Sequence, residues 1–172
     1  MKHLKTILAG AALLAAGAGT ASAATVTGNL NVALTLSTFC SMNASGTAPL
    51  ALTFPTAANL TQPVGTTTAA ILNVTCSAGT VYSIKLGNGL NKTGADRQLA
   101  RDGGGNTENK VPYKLSRQAN GVEEWVPDVA FTPTSPGSGV AQPFNIWGFI
   151  PATSAVLLPG TYKDTVVITL DY

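Results

Sequence analysis

Short runs in which every second residue is apolar restrict the fold of this chain more than any other feature. Side chains alternate between the two faces of a strand, so a period of two favours β-structure with one apolar face. Breaks rich in Gly, Pro and Asn separate the runs, and no stretch keeps a helical period. This pattern predicts an all-β fold, with a β-sandwich as first choice and a barrel as second. The runs lie at Leu50–Phe54, Leu72–Cys76, Tyr82–Leu86, Val111–Leu115, Phe144–Ile150 (apolar on both faces, hence predicted central) and Val166–Tyr172.

Another run of this kind stands near the N-terminal end, ahead of the first cysteine. Its apolar positions alternate with mostly polar ones such as Asn29, Asn31 and Thr35. An apolar strand on a free chain end needs a groove to fill, and that groove belongs either to its own domain or to a neighbouring molecule. The alternate positions are Val26, Gly28, Leu30, Val32, Leu34 and Leu36.

Residues 1–23 have the features of a secretory signal peptide. Lys2 and Lys5 form a basic start, an apolar run covers Ile7 to Ala18, and Ala21–Ala23 is a small-residue cleavage site. The apolar run is too short and too rich in Ala and Gly to span a bilayer comfortably. We therefore expect cleavage after Ala23 and export of a mature chain with the length of one domain.

The charge balance argues against several classes of partner. The sequence has 10 Lys and Arg against 8 Asp and Glu, and loss of Lys2 and Lys5 with the leader makes the two numbers equal. A neutral chain with few charges offers no basic patch for nucleic acid or anionic lipid. Little long-range repulsion then opposes the packing of one copy on another, which suits a subunit of a polymer.

The sequence offers little catalytic or metal-binding chemistry. The only histidine, His3, leaves with the leader, so Cys40 and Cys76 are more simply a disulfide of an exported protein than a metal or nucleophilic site. Glu123 and Glu124 point to opposite faces of an extended chain and make a poor acid–base pair, so a solvated loop pair is favoured. No enzyme activity, cofactor or metal ion is predicted.

Two weaker alternatives concern the loops and the tryptophans. The Gly-rich segment 102–108 lacks the ligand spacing of an EF-hand calcium loop and is predicted to be a hairpin tip. Trp125 could mark a sugar-binding face. Burial of Trp125 and Trp147 in the sandwich core is the favoured interpretation, because aromatic side chains dominate core burial.

Several segments resemble a known family. Thr27–Cys40 resembles the mature N-terminus of the major pilin of archaic, Csu-type chaperone–usher pili, within the wider spore coat protein U domain family. The ending Leu158–Tyr172 is the most recognisable motif, and the resemblance covers essentially all of the mature chain. Three internal segments also fit: Asn73–Cys76, Arg97–Ala100 and Val111–Leu115.

The resemblance implies an incomplete immunoglobulin-like β-sandwich of pilin type, completed by a donor strand from a neighbouring subunit. It divides the mature chain into a donor strand extension at 24–37 and a pilin domain at 38–172, with Cys40 and Cys76 joining the first strand to the second. The implied donor-strand plugs are Val26, Gly28, Leu30, Val32, Leu34 and Leu36. The implied edge of the groove, on which a chaperone docks, carries Val166, Ile168, Leu170 and Tyr172.

The partners implied by the resemblance are a periplasmic chaperone, an outer-membrane usher and identical or related pilin subunits. The expected function is that of a structural subunit, exported through the periplasm to the cell surface, that polymerises into pili for adhesion and biofilm formation. Two alternatives remain: a secreted coat or matrix protein of the spore-coat-U type with the same fold, and a carbohydrate-binding adhesin module.

Overall fold

The computed structural model describes residues 23–44, 49–102 and 110–172. The predicted signal peptide, apart from Ala23, and the predicted hairpin tip, apart from Asp102, lie outside the described residues. The chain divides into two units, Met1–Thr35 and Leu36–Tyr172. All regular secondary structure in the described ranges belongs to the second unit. Those ranges contain no helix that is long and apolar enough to cross a membrane.

The second unit is built from short strands and, among its described residues, a single 3-10 turn at Ala119–Gly121. The period-two pattern and the many Thr and Val residues account for the strands. The strands are β1 Cys40–Met42, β2 Val64–Gly65, β3 Ala70–Cys76, β4 Ser83–Leu86, β5 Gln98–Arg101, β6 Lys110–Pro112, β7 Lys114–Ser116, β8 Gln142–Ile150, β9 Tyr162–Lys163 and β10 Ile168–Asp171.

The strands form three antiparallel sheets. The largest has the order β1-β3-β8-β2, and β7 also pairs with β8. A second sheet consists of β10 and β4, and a third has the order β6-β5-β9. β8 is central to the largest sheet, because β3 pairs with its first part and β7 and β2 pair with its second part. This position agrees with the apolar pattern on both faces of residues 144–150.

One hydrophobic core is shared by these sheets. Its fully buried side chains come from alternate positions of β3 and β4, where Leu72, Val74, Ile84 and Leu86 are at most 1% exposed. Trp125 is 2% exposed and belongs to the same core. The period of two in the sequence thus becomes burial of one face of each sheet.

Two of the predicted strand runs differ from a simple strand. Leu50–Phe54 alternates half-buried and exposed side chains but forms no paired strand. Val111–Leu115 is divided at Tyr113, since β6 pairs with β5 whereas β7 pairs with β8. The alternation reports which face of a segment is apolar, and it does not specify the partner strand.

Cys40 and Cys76 form a disulfide and stand opposite each other in the register of β1 and β3. Both residues are buried, and their sequence separation is 36. The bond therefore joins the first strand of the domain to its main partner in the largest sheet.

Replacing both Cys40 and Cys76 by Ser is expected to lower the free energy of unfolding by about 4 kcal/mol, because a cross-link of this loop length restricts the unfolded chain. Urea unfolding of the mature protein, followed by tryptophan fluorescence, measures the change. The wild-type protein under reducing conditions is the matched control and should behave like the double variant. Equal midpoints for the oxidised protein and the double variant would contradict this expectation.

Candidate functional site: an exposed apolar segment and an open strand edge

Residues 23–38, the N-terminal segment, are exposed along their whole length and belong to no described strand. Leu30, Val32 and Leu34 are 87%, 85% and 82% exposed. Single exposed apolar side chains are ordinary, whereas a continuous row of them marks a surface that binds something. A Cβ placed on Gly28 would meet nothing within 4 Å. The segment therefore has the sequence of a half-buried strand but forms no strand among the described residues.

The second component of the candidate site is the outer edge of β10. Among the described strands β10 pairs only with β4, in the register Ile168–Leu86 and Leu170–Ile84. Ile84 directs its own backbone N–H and C=O to Phe131, which lies on the side of β4 away from β10. Alternate residues of an antiparallel pair face opposite edges, so the backbone groups of Ile168 and Leu170 face the open edge.

The inward face of this edge strand is only partly covered. Val166, Ile168 and Leu170 are half-buried against the core, whereas Ile84 and Leu86 on the neighbouring strand β4 are fully buried. The residues between them on β10, such as Thr169, are exposed. The strand therefore offers apolar side chains along this edge, together with backbone groups that no described residue pairs with, and strand addition requires this combination.

β1 lies beside this edge, but among the described residues it forms no hydrogen-bonded strand pairing with β10. Cα atoms of β1 and β10 approach within 8 Å of each other, whereas one strand placed between two others separates them by about 10 Å. At these residues, insertion of a strand requires β1 and β10 to move apart. We call the space bounded by β1 and β10 the acceptor groove, after the role proposed for it below.

A hydrogen-bonded group of polar residues holds the chain just before β10. The carboxylate of Asp164 accepts a 2.6 Å hydrogen bond from the Tyr113 hydroxyl and a 3.0 Å bond from the backbone N–H of Asn91. Burial, followed by the Asp164 carboxylate, raises the pKa of Tyr113 above its ordinary value. Sequence reasoning missed Tyr113 and Asp164 because an isolated tyrosine and aspartate give no sign that they meet.

The raised pKa of Tyr113 predicts a specific sensitivity to alkali. The folded protein keeps this proton at a pH where the unfolded chain releases it, so the contribution is complete below about pH 10 and is lost as the pH rises further. Because Tyr113→Phe removes a hydrogen bond to a carboxylate, the variant should be less stable than wild type at pH 7, by about 2 kcal/mol. The difference should shrink above pH 10. Urea unfolding at pH 7, 9, 10 and 11 tests this, and a difference that grows with pH would contradict it.

The alternatives weighed from the sequence find less support. Trp125 is buried and donates its indole N–H to the Asn145 carbonyl, so it presents no sugar-stacking face; Trp147 is half-buried. Glu123 and Glu124 form separate ion pairs with Arg117 and Lys114. Within the described ranges, no three His, Cys, Asp or Glu side chains cluster as metal ligands would.

Comparison with known proteins bears on these features. The model of the Spore Coat Protein U domain matches residues 26–169. The chain belongs to the Spore Coat Protein U domain family. The matched range includes the exposed alternating positions 26–36 and the first two residues of β10, so the family domain reaches both components of the candidate site.

Two of the solved structures similar to this Spore Coat Protein U domain are chaperone–tip subunit complexes. One is the crystal structure of the CsuC–CsuE chaperone–tip adhesion subunit pre-assembly complex from the archaic chaperone–usher Csu pili of Acinetobacter baumannii. It is 20% identical, with a TM-score of 0.52, over 80% of this chain and 40% of the other. A chaperone–tip adhesin complex of CFA/I fimbriae biogenesis is 13% identical with a TM-score of 0.47, over 77% of this chain and 41% of the other.

These similarities concern the fold. This chain spans 40% of the length of the chain in the first structure. No curated protein matches the chain significantly. The family assignment and the immunoglobulin-like, all-β fold predicted from the sequence are confirmed. The roles of the plug residues and of the C-terminal edge residues stay predictions; Tyr172 lies just beyond β10 and is exposed.

Proposed function

We propose that this protein is a structural subunit that polymerises by donor-strand complementation, the N-terminal segment of one copy filling the acceptor groove of the next. The observation that carries the proposal is the complementarity of two unpartnered features. One is a strand-like segment with an exposed apolar row, and the other is an edge strand with half-buried apolar side chains and unpaired backbone groups. Each supplies what the other lacks.

The free-energy scale is adequate for a stable joint. Burying Leu30, Val32, Leu34 and Leu36 contributes on the order of 6–12 kcal/mol before costs are counted. Backbone hydrogen bonds along β10 add to this, and ordering of the free segment offsets part of it. The contact joins two different surfaces, so every complex keeps one free donor segment and one free acceptor groove. Such heterologous contacts propagate an open filament.

The assembly route follows from the hazard that the acceptor groove presents. An open edge with apolar side chains is prone to wrong pairing. We infer that a periplasmic chaperone covers the β10 edge first, and that at the outer-membrane usher the next subunit's N-terminal segment replaces the chaperone. Filaments then form at the cell surface, where they serve adhesion and biofilm formation. In this account 1–23 is the cleaved leader, 24–37 the donor extension and 38–172 the acceptor domain, with Val166, Ile168, Leu170 and Tyr172 contacting the chaperone.

A peptide competition experiment tests the proposal. A synthetic peptide of residues 24–37, added in excess to purified mature subunits, should occupy acceptor grooves and stop filament growth in electron micrographs. The matched peptide with Val32→Asp and Leu34→Asp should leave growth unchanged. Filaments of normal length in the presence of the native peptide would contradict the donor-strand account.

A further inference from the structure

The strand that forms the open edge reaches it through a change of sheet. Residues Tyr162–Lys163 pair with β5 as β9, and Ile168–Asp171 pair with β4 as β10. The intervening residues, 164–167, connect the two pairings. Two sets of buried or half-buried polar contacts hold this connection, one at each end.

The first set is centred on Arg97, whose side chain is only 1% exposed. Its Nε donates to the Gly87 carbonyl at 2.8 Å, Nη1 donates to the Trp125 carbonyl at 2.7 Å, and Nη2 donates to the Leu86 carbonyl at 2.7 Å. Burial lowers the pKa of the guanidinium, with carboxylates and Tyr113 nearby acting against that shift. Burying the guanidinium among three neutral carbonyls is costly, because the cation loses its water. What Arg97 contributes is therefore the fixed geometry of its three hydrogen bonds.

Two of those carbonyls lie at the end of β4 that holds β10. Leu86 is the last residue of β4 and stands opposite Ile168 in the register. The N–H of Gly87 donates to the Val167 carbonyl at 2.9 Å. Arg97 thus fixes one side of the Leu86–Gly87 backbone, and the other side of that backbone fixes the start of β10.

The second set is centred on Asp164, at the other end of the connection. Besides the bonds to Tyr113 and to the Asn91 backbone, the Asn91 side chain donates to the Lys163 carbonyl at 2.9 Å. The N–H of Leu90 donates to the Thr165 carbonyl at 3.0 Å. Gly89 has a φ of +84°, which favours glycine, and a Cβ there would overlap the Asp164 carboxylate.

The two sets bracket Val166, the first of the half-buried apolar residues on the open edge. We propose that Arg97 and Asp164 are positioning residues that hold the β9–β10 connection on β4, so that the acceptor edge is already formed before a donor strand arrives. This inference rests on the proposed function. A preformed edge lowers the ordering cost of strand addition, which is the general advantage of preorganisation.

The test uses the mature chain with Val32→Asp and Leu34→Asp, which retains its acceptor edge but cannot donate. Into this background we place Arg97→Met, Arg97→Lys or Asp164→Ala. Ile150→Ala, at the end of β8, is the control for a general loss of stability, with urea chosen to match the unfolded fractions. Two quantities are measured: uptake of the labelled native 24–37 peptide, and hydrogen exchange at the Thr169 and Asp171 amides, which face β4.

We expect Arg97→Met and Asp164→Ala to slow peptide uptake about tenfold and to accelerate exchange at Thr169 and Asp171 about tenfold, while Ile150→Ala at matched stability changes neither. Arg97→Lys should resemble Arg97→Met, because one ammonium group cannot reproduce the planar guanidinium that donates to three separate carbonyls. If Arg97→Met fails to fold, Arg97→Lys and Asp164→Ala provide the same comparison.

The two possible failures give different results. If the Arg97 and Asp164 variants take up peptide and exchange as Ile150→Ala does, the positioning role is overturned and the donor-strand function stands. If neither the Val32→Asp, Leu34→Asp parent nor any variant made in it binds the native peptide, the proposed function is overturned. In that case unchanged exchange at Thr169 and Asp171 would also overturn the positioning role, and accelerated exchange would support it as a property of the edge alone.

Discussion

Filament assembly is expected to stop when Val32 and Leu34 are both replaced by Asp. In the proposed joint these side chains enter an apolar groove, and each carboxylate would be buried there without a partner. A loss of even 4 kcal/mol weakens an association about a thousandfold, and two buried charges exceed that scale. Electron microscopy of surface filaments and size-exclusion profiles of exported subunits measure the effect.

The N-terminal segment provides its own matched control. Asn31→Asp and Ala33→Asp add the same two charges, each one position before a changed plug residue, and so place them on the opposite, polar face of the proposed strand. Those carboxylates would remain in solvent, so filaments should persist. Both double variants should be recovered equally well with the chaperone, since the changed residues lie outside 38–172. Equal loss of filaments in the two variants would show that charge alone, and not the plug face, causes the effect.

Deletion of Ala24–Leu36 is the more drastic form of the same change. It should leave a subunit that binds the chaperone but does not enter filaments. Continued polymerisation of the deleted protein would contradict the donor-strand account.

A second large effect is expected at the acceptor edge. Ile168→Asp places a carboxylate on the half-buried face of β10, which the donor strand would cover, so the variant should neither extend filaments nor bind the native 24–37 peptide. Val167→Asp is the matched control: the adjacent side chain is 61% exposed and lies on the opposite face. Peptide binding by fluorescence anisotropy should fall at least about a hundredfold for Ile168→Asp, as expected for an unpaired buried charge.

Combining the two variants tests the polarity of the joint. Ile168→Asp still carries an intact donor segment, and the Val32→Asp, Leu34→Asp protein still carries an intact acceptor groove. Mixed, they should form binary complexes that do not grow, since each complex lacks one of the two surfaces needed for the next addition. Native mass spectrometry reports this directly. Filaments from the mixture, or no complexes at all, would contradict a head-to-tail joint.

The strand content and the core could be anticipated from local patterning alone. Leu72, Val74, Ile84 and Leu86 alternate in the sequence, and they are the fully buried residues of β3 and β4. The apolar pattern on both faces of 144–150 likewise indicated the central strand β8. These inferences succeed because side-chain direction along a strand depends only on sequence position.

Partner choice could not be read in this way. Val111–Leu115 looks like one strand, yet Tyr113 divides it between two sheets, and Leu50–Phe54 alternates without pairing at all. Strand partners are set by contacts between residues far apart in the chain, and alternation carries no information about them. The same limit applies to the disulfide, whose residues are evident from the sequence but whose register is a property of β1 and β3.

By itself, the sequence determined that this protein is an all-β chain with two cysteines and an alternating apolar segment ahead of them, because periodicity and composition are local properties. Only the tertiary structure decided which strand the C-terminal edge strand pairs with and which residues hold it. Arg97 and Asp164 are ordinary polar residues in the sequence, and they meet Gly87 and Tyr113 only after the chain has crossed between sheets. Long-range contacts place the acceptor edge, since burial and hydrogen bonding depend on which segments the fold brings together.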